Sequence, residues 1–235
     1  MSAGEQTVPV GEDSPILEVM ATMRAMRRLK PDPVPDELLE KLVEAATWAP
    51  SGSNLQAFEF LVVTDRAVMA QLAELWSKSV ELYLKTVGGV TPAAQDPKGR
   101  RALEYQREHF AETPAVIVAC YRGTRADPKL LVEFAKSMAP GDMARLLPRL
   151  QRMALLGEAS SVYPGVQNLL LAARALGLGA VITVWHLFYE HEWKRVLGIP
   201  GDVQTFAVVP VGWPKGRFGP VTRRPAREVI HRDHW

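Results

Sequence analysis

The chain has 235 residues, of which 47% are hydrophobic and 23% charged, with six tryptophans. That length holds one large domain or two small ones at about 100–200 residues each, and the composition excludes both a short disulfide scaffold and a disordered chain. Twenty-eight basic against twenty-six acidic residues leave a net charge of +2, which excludes the whole-domain positive field of a nucleic-acid binder and leaves room for a local basic site.

Residues 1–14 are polar, carry Glu5, Glu12 and Asp13, and read as a flexible tail without the layout of a secretory signal, so a cytoplasmic protein is expected. Residues 15–235 read as a single domain. Ile16–Arg28 sets Ile16, Leu17, Met20, Met23 and Met26 at roughly helical spacing behind Ser14 as cap and Pro15 at the first position, and predicts a helix ending in a basic cluster. Pro31, Pro33 and Pro35 enforce an extended link, and Asp36 is positioned to cap a second helix over Glu37–Trp48. Ala49–Asn54 is a loop, Phe58–Val63 a strand, and Arg66–Thr86 a helix through Met69, Leu72, Leu75 and Trp76. Trp76 at that spacing reads as core.

Glycines and prolines over Val87–Lys98, followed by a polar helix over Arg100–Ala111, suggest a mobile flap. Ala115–Tyr121 is a strand whose Cys120 reads as an inert core thiol. After a second irregular region, Gly123–Gly157, come a helix (Ser160–Leu176), a strand (Ala180–Trp185), a short helix (Glu190–Leu197) and a last strand (Val203–Val211). Val166–Trp185 approaches the length of a membrane span, but Gln167, Asn168, Arg174 and its glycines make it a buried helix followed by a buried strand. Strands and helices that do not alternate evenly predict an α+β sandwich.

Three polar clusters carry the functional reading. Arg24, Arg27 and Arg28 would share one face of a helix and converge on an anion through rigid guanidinium forks, or else simply offset the helix dipole. Ser51-Gly52-Ser53-Asn54-Leu55-Gln56 presents hydroxyl and amide groups able to read the mixed edge of a heterocycle, or merely forms a turn. Arg217, Arg223, Arg224 and Arg227 follow the last strand as a basic tail. Other motifs fail. Gly177-Leu178-Gly179 lies between helix and strand, the reverse of a dinucleotide fingerprint, and the five histidines lack metal-ligand spacing, so no metal is expected.

Together the clusters resemble the flavin-dependent nitroreductase family. Arg24-Ala25-Met26-Arg27-Arg28 is similar to R-[RH]-S-x-[RK], and Ala49–Gln56 to A-P-S-x-x-N-x-Q. Gln167–Ala173 leading to Gly177-Leu178-Gly179, and Val211-Gly212-Trp213-Pro214 before Arg223-Arg224-Pro225, complete the register. Met26 stands in place of the usual serine, Ala57-Phe58 in place of Pro-Trp, and Lys30 in place of an aromatic residue.

The resemblance implies a three-layer sandwich, a central mostly antiparallel sheet flanked by helices, in an intertwined homodimer with FMN at each subunit interface. By position, Arg24 and Arg223 would hold the phosphate and ribityl end, with Ala25 and Met26 between, and Arg28 would approach the N1/O2 edge. Ser51, Gly52, Asn54 and Gln56 would contact the ribityl chain or pyrimidine ring, some from the partner subunit, while Thr183, Val184 and Trp185 would support the N5 side. The implied activity is ping-pong hydride transfer from NADPH or NADH to a nitroaromatic, quinone or similar acceptor. No acid–base side chain is required, Arg28 acts as an electrostatic stabiliser, and lid segments near 86–110 and 137–157 cover the site. Alternatives are a family member that uses reduced flavin for dehalogenation or flavin cleavage, and a non-catalytic anion- or flavin-binding protein. The halotyrosine-dehalogenase branch is disfavoured, because no Glu-x-x-x-Tyr occurs between Arg66 and Phe110.

Overall fold

Two strands are buried on both faces and organise the rest. In the computed structural model, which describes residues 11, 15–86, 96–123, 132–133, 136–137 and 139–235, β2 (Ala115–Tyr121) and β4 (Gln204–Gly212) pair antiparallel at the centre of the sheet. Strand β1 (Phe58–Val63) flanks β2, and the two-residue β3 (Gly179–Ala180) flanks β4, giving the order β1-β2-β4-β3 with every pairing antiparallel. Alternate residues of β2 face opposite ways. Ala115, Ile117 and Ala119 pack with Leu42, Val166, Leu169 and Ala173, whereas Val116, Val118 and Cys120 pack with Met69, Leu72, Trp76 and Trp193. The first layer is α2 (Asp36–Thr47) with α5 (Pro140–Ala175), and the other is α3 (Arg66–Thr86) with α6 (Glu190–Leu197). Two-sided burial explains why both central strands read as unbroken apolar runs, each Val or Ile contributing about 1.5–3 kcal/mol of burial. The three-layer α+β architecture is the one the sequence predicts.

Three elements differ from expectation. Helix α1 (Ile16–Thr22) ends six residues short of Arg28. Met23 turns extended (φ −68°, ψ 124°), Met26 N–H donates to Ala180 O at 3.0 Å and Lys30 N–H to Trp213 O at 2.8 Å. Ala25 bridges Ala180 in parallel, so sheet-edge pairing defeats the local helical period. Arg24, Arg27 and Arg28 therefore do not share a helix face. Along an extended chain Arg24 and Arg28 point one way and Arg27 the other.

Helix α5 begins at Pro140, so residues 140–157 are helical rather than irregular. Their Ala, Leu, Met and Arg content has high intrinsic helix preference, and Pro148 and Pro164 are absorbed at the loss of one intrahelical hydrogen bond each. The expected strand Ala180–Trp185 shrinks to Gly179–Ala180 plus a two-bond bridge between Thr183 and Val208, 2.9 Å each way. Trp185 N–H then turns onto Thr183 Oγ1 at 3.3 Å and opens a 3₁₀ turn, Trp185–Tyr189.

Smaller shifts follow local chemistry. The flap helix, α4, spans Pro97–Glu108, capped by Asp96, whose carboxylate accepts from Lys98 N–H (3.2 Å) and Gly99 N–H (2.9 Å). Helix α2 includes Asp36 itself, behind Pro35, with no side-chain cap. Most of the expected tail and residues 87–95 of the expected flap lie outside the described residues.

The Gly177-Leu178-Gly179 stretch stops α5. Gly177 has φ 78°, Gly177 N–H donates to Arg174 O at 3.2 Å and Leu178 N–H to Ala173 O at 2.7 Å, which is the Schellman stop. Gly179 has no room for a side chain, since a Cβ there would meet Met26 and Leu29 at 2.9 Å. The glycines thus serve to seat the Arg24–Arg28 strand against β3.

Candidate functional site

Pairing of Ala25 with Ala180 brings the arginine strand beside residues 181–185. A pocket of about 290 Å³ results, lined by Arg27, Leu103, Gln106, Trp76 and Val181–Trp185. A second, of about 200 Å³, shares Arg27, Leu103 and Trp185 and adds Tyr83, Asp96 and Arg100. Burial pushes the Arg27 guanidinium below its ordinary value. The pocket floor is aromatic: Tyr83 stacks on Trp185 at 4.0 Å between centroids, Trp185 on Trp76 at 5.7 Å, and Trp76 on Phe110 at 5.3 Å. Of the residues lining this pocket, sequence reasoning singled out Thr183, Val184 and Trp185 and grouped Arg27 with Arg24 and Arg28, but did not single out Leu103 or Gln106. The helical reading gave Arg27 the same face as Arg24 and Arg28, whereas the extended backbone turns it into this pocket.

Arg28 lies on a different surface. Its guanidinium sits 5.1 Å over the Tyr105 ring of α4. Arg24 is exposed, as is Arg223, whose Nη1 donates to Thr222 O at 2.8 Å. Both lie within three residues of one tether, Val221 N–H to Ala21 O at 2.9 Å, which folds the basic tail back over α1. Arg174 reinforces that arrangement: buried, it donates from Nε to Thr22 Oγ1 at 3.0 Å while its guanidinium covers the Phe218 ring at 4.4 Å. Met26 is buried and Ala25 is committed to the bridge, so neither offers a polar side-chain contact.

The Ser51–Gln56 loop is elsewhere. Ser53 (φ 52°), Asn54 (φ 53°) and Gln56 (φ 50°) are all left-handed without being glycine, a concentration of sparsely populated geometry that typically marks functional loops. The Ser51 hydroxyl accepts from Gln56 N–H at 2.9 Å, and Ser161 Oγ of α5 accepts from Gly52 N–H at 3.1 Å. These bonds fix the loop and leave the Asn54 and Gln56 side chains exposed. It feeds β1, whereas the arginine strand and residues 183–185 flank β3, the opposite edge of a four-stranded sheet. Three strand spacings, about 14 Å, separate the two edges, so one chain does not bring the loop and the arginine strand together.

Two buried titratable groups lie outside this surface. Burial pushes the Cys120 thiol up to about 12, as expected of a core cysteine. His186 is fully buried, with Nε2 3.0 Å from Thr205 Oγ1, and the Thr205 hydroxyl donates to Glu190 Oε1 at 2.7 Å. Thr205 has one proton to give, so the network assigns the His186 proton to Nε2. Its Nδ1 is buried without a partner. Burial lowers its pKa to about 4, with the Glu190 charge opposing.

A folded value below the ordinary 6.5 means the neutral imidazole's contribution is complete above about pH 6.5 and is lost as pH falls toward 4. Between pH 7 and pH 4 the protein is expected to lose about 3 kcal/mol from this residue. Urea midpoints over that range measure it, and His186→Gln is expected to flatten the slope. An unchanged slope overturns the assignment.

Among the described residues no three His, Cys, Asp or Glu side chains are grouped to hold a metal ion, and no helix is long and apolar enough to cross a membrane. The model of the nitroreductase family matches residues 21–213. The chain belongs to the nitroreductase family. Among family relatives, an NADH dehydrogenase of Thermus thermophilus is 30% identical over 207 residues, covering 88% of this chain and 90% of that protein. An iodotyrosine deiodinase of Thermotoga neapolitana is 26% identical over 209 residues, covering 89% and 92%. Among solved structures, an oxidised iodotyrosine deiodinase bound to FMN and 3-iodo-L-tyrosine superposes with a TM-score of 0.68 at 22% identity, covering 94% of this chain and all of that one. This nitroreductase-family chain thus shares the fold of a flavoprotein over nearly its whole length.

Proposed function

We propose that this nitroreductase-family chain is an FMN-dependent oxidoreductase that takes a hydride from NADPH or NADH and delivers it to a small electron-poor acceptor, a nitroaromatic, a quinone or a similar compound. The observation that carries the reading is the Ala25–Ala180 bridge, which lays the Arg24–Arg28 strand along residues 181–185 and leaves Arg24 and Arg28 exposed. The donor set fits the cofactor. Arg24 and Arg223, held near one backbone tether, suit the phosphate, since guanidinium forks bind phosphate oxygens in pairs. Ser51, Asn54 and Gln56 offer the hydroxyl and amide groups that a ribityl chain and pyrimidine edge require. The Trp185–Tyr83 stack supplies an apolar wall.

When bound, FMN supplies the hydride chemistry, and the protein supplies binding, orientation and electrostatics. Arg28 would stabilise negative charge developing at the N1/O2 edge. Thr183, Val184 and Trp185 would orient the N5 side, in part through backbone groups. Because the Ser51–Gln56 loop and the arginine strand occupy opposite sheet edges, a complete flavin site is best supplied by two copies of the chain, one giving each edge. Exposed Leu17, Met20, Trp48 and Leu55 are available to such an interface. Residues 15–235 form one domain in this reading, and α4 and residues 137–157 act as lids.

The alternative, a family member that dehalogenates or cleaves flavin, draws support from the Thermotoga neapolitana relative. Purified protein is expected to be yellow, to elute as a dimer, and to bleach on mixing with NADPH or NADH before recolouring on addition of a nitroaromatic or quinone. Protein that neither carries nor takes up FMN overturns every flavin reading. Bleaching followed by turnover of 3-iodotyrosine alone, with no reduction of nitroaromatics or quinones, favours the alternative.

A further inference from the structure

A cleft of about 630 Å³ opens between α4 and the arginine strand, on the face of that strand away from the Arg27 pocket. Arg28, Lys98 and Arg101 line it. Lys215 stands at its edge, because its backbone N–H donates to Arg28 O at 2.9 Å and its ammonium donates to the Tyr105 hydroxyl while lying 5.1 Å from that ring's centroid. Tyr105 is thus held by two cations, Arg28 over its ring and Lys215 on its hydroxyl, with His109 stacked on it at 4.2 Å. Two carboxylates also line the cleft. Glu104 is occupied by Arg100 at 2.9 Å, and the Asp96 carboxylate at the start of α4 offsets part of the charge of Lys98 and Arg101, so that Glu108 and Asp96 together face four positive groups. In a chain whose overall charge is only +2, this concentration focuses positive potential into one concavity. Lys98, Arg101 and Lys215 belong to none of the motifs that identified the family.

We infer that this cleft is a specificity subsite for an anionic oxygen group, a phosphate or a carboxylate, carried by a molecule that enters the proposed flavin site. The inference rests on the oxidoreductase reading, since Arg28 is the residue common to the cleft and the proposed N1/O2 contact. Two sources share the chemistry: the 2′-phosphate of NADPH, which NADH lacks, and a carboxylate on the acceptor. Lys98 and Arg101 are exposed on α4, so their side chains reach a ligand in the cleft without supporting the core.

The test uses FMN-loaded wild type and the double variant Lys98→Ala/Arg101→Ala, with flavin content read first from visible absorbance. Adenosine 2′,5′-bisphosphate and 5′-AMP are titrated by calorimetry, and KM is measured for NADPH against NADH and for p-nitrobenzoate against nitrobenzene. If the reductant supplies the anion, the double variant binds the bisphosphate roughly tenfold more weakly with 5′-AMP unchanged, and its KM rises for NADPH alone. If the acceptor supplies it, the bisphosphate is unaffected and only the p-nitrobenzoate KM rises. Either loss is expected to diminish at high salt, and Lys98→Arg/Arg101→Lys is expected to restore wild-type values. Unchanged bisphosphate affinity together with unchanged KM for both anionic compounds overturns the subsite while the flavin reading stands. A wild type without flavin overturns the oxidoreductase reading, and the subsite with it, and the absorbance separates that failure from the other.

Discussion

Arg24→Ala is expected to weaken FMN retention by roughly 10- to 100-fold, the loss that follows when a hydrogen bond between charged groups worth about 1.5–3 kcal/mol is removed. Arg223→Ala is expected to do the same, because both side chains are exposed near the single tether that joins Val221 to Ala21. Neither side chain contributes to the core, so both variants are expected to keep wild-type thermal stability as apoproteins. Arg24→Lys is expected to recover part of the loss, since an ammonium restores charge without the bidentate fork. Titration of FMN into apoprotein, followed by flavin fluorescence, gives the constants. The two substitutions combined are expected to be less than additive if the residues share one phosphate and additive if they bind separate parts of the ligand. Unchanged FMN affinity in both single variants removes the phosphate assignment.

What the sequence made legible, and what it did not, follows from how local each determinant is. The runs Ala115–Tyr121 and Val203–Val211 announced strands, because burial on two faces writes itself into consecutive residues. Helix α2 was legible from its proline-bounded start and its apolar stripe. The segment after Thr22 was not, because Met20, Met23 and Met26 satisfy a helical period while the partners that straighten the chain, Ala180 and Trp213, are more than 150 residues away. That error propagated into the site, turning Arg27 into a companion of Arg24 and Arg28 when it faces another pocket. The Ser51–Gln56 loop was legible as a polar loop by residue type, yet its left-handed backbone and its position at the far edge of the sheet depend on β1 and Ser161. Lys98 and Arg101 acquire meaning only when α4 is laid beside Arg28. Side chains gathered by tertiary pairing leave no spacing signature.

Trp76→Ala is expected to cost about 3–5 kcal/mol, the range for removing a fully buried aromatic side chain from a packed core. Trp76 is 1% exposed and lies between Phe110 and Trp185, so it links the α3 core to the wall of the Arg27 pocket. Its Nε1 is buried without a hydrogen-bond partner, which makes Trp76→Phe the informative companion. Phenylalanine discards an unsatisfied donor and keeps an aromatic face for Trp185, so its cost reflects lost volume alone and is expected to be well below that of alanine. Chemical denaturation gives both differences. The second readout is the site itself. With Trp76 gone, Trp185 retains, among the described residues, the Tyr83 stack at 4.0 Å, and the turn that begins at Trp185 loses its inner support. Under conditions where Trp76→Ala is still folded, FMN is expected to bind more weakly than in Trp76→Phe, with Arg24 unaltered in both. Equal FMN affinity in the two variants, despite unequal stability, means that the bridge between Thr183 and Val208 holds the pocket wall and that the aromatic stack serves the core alone.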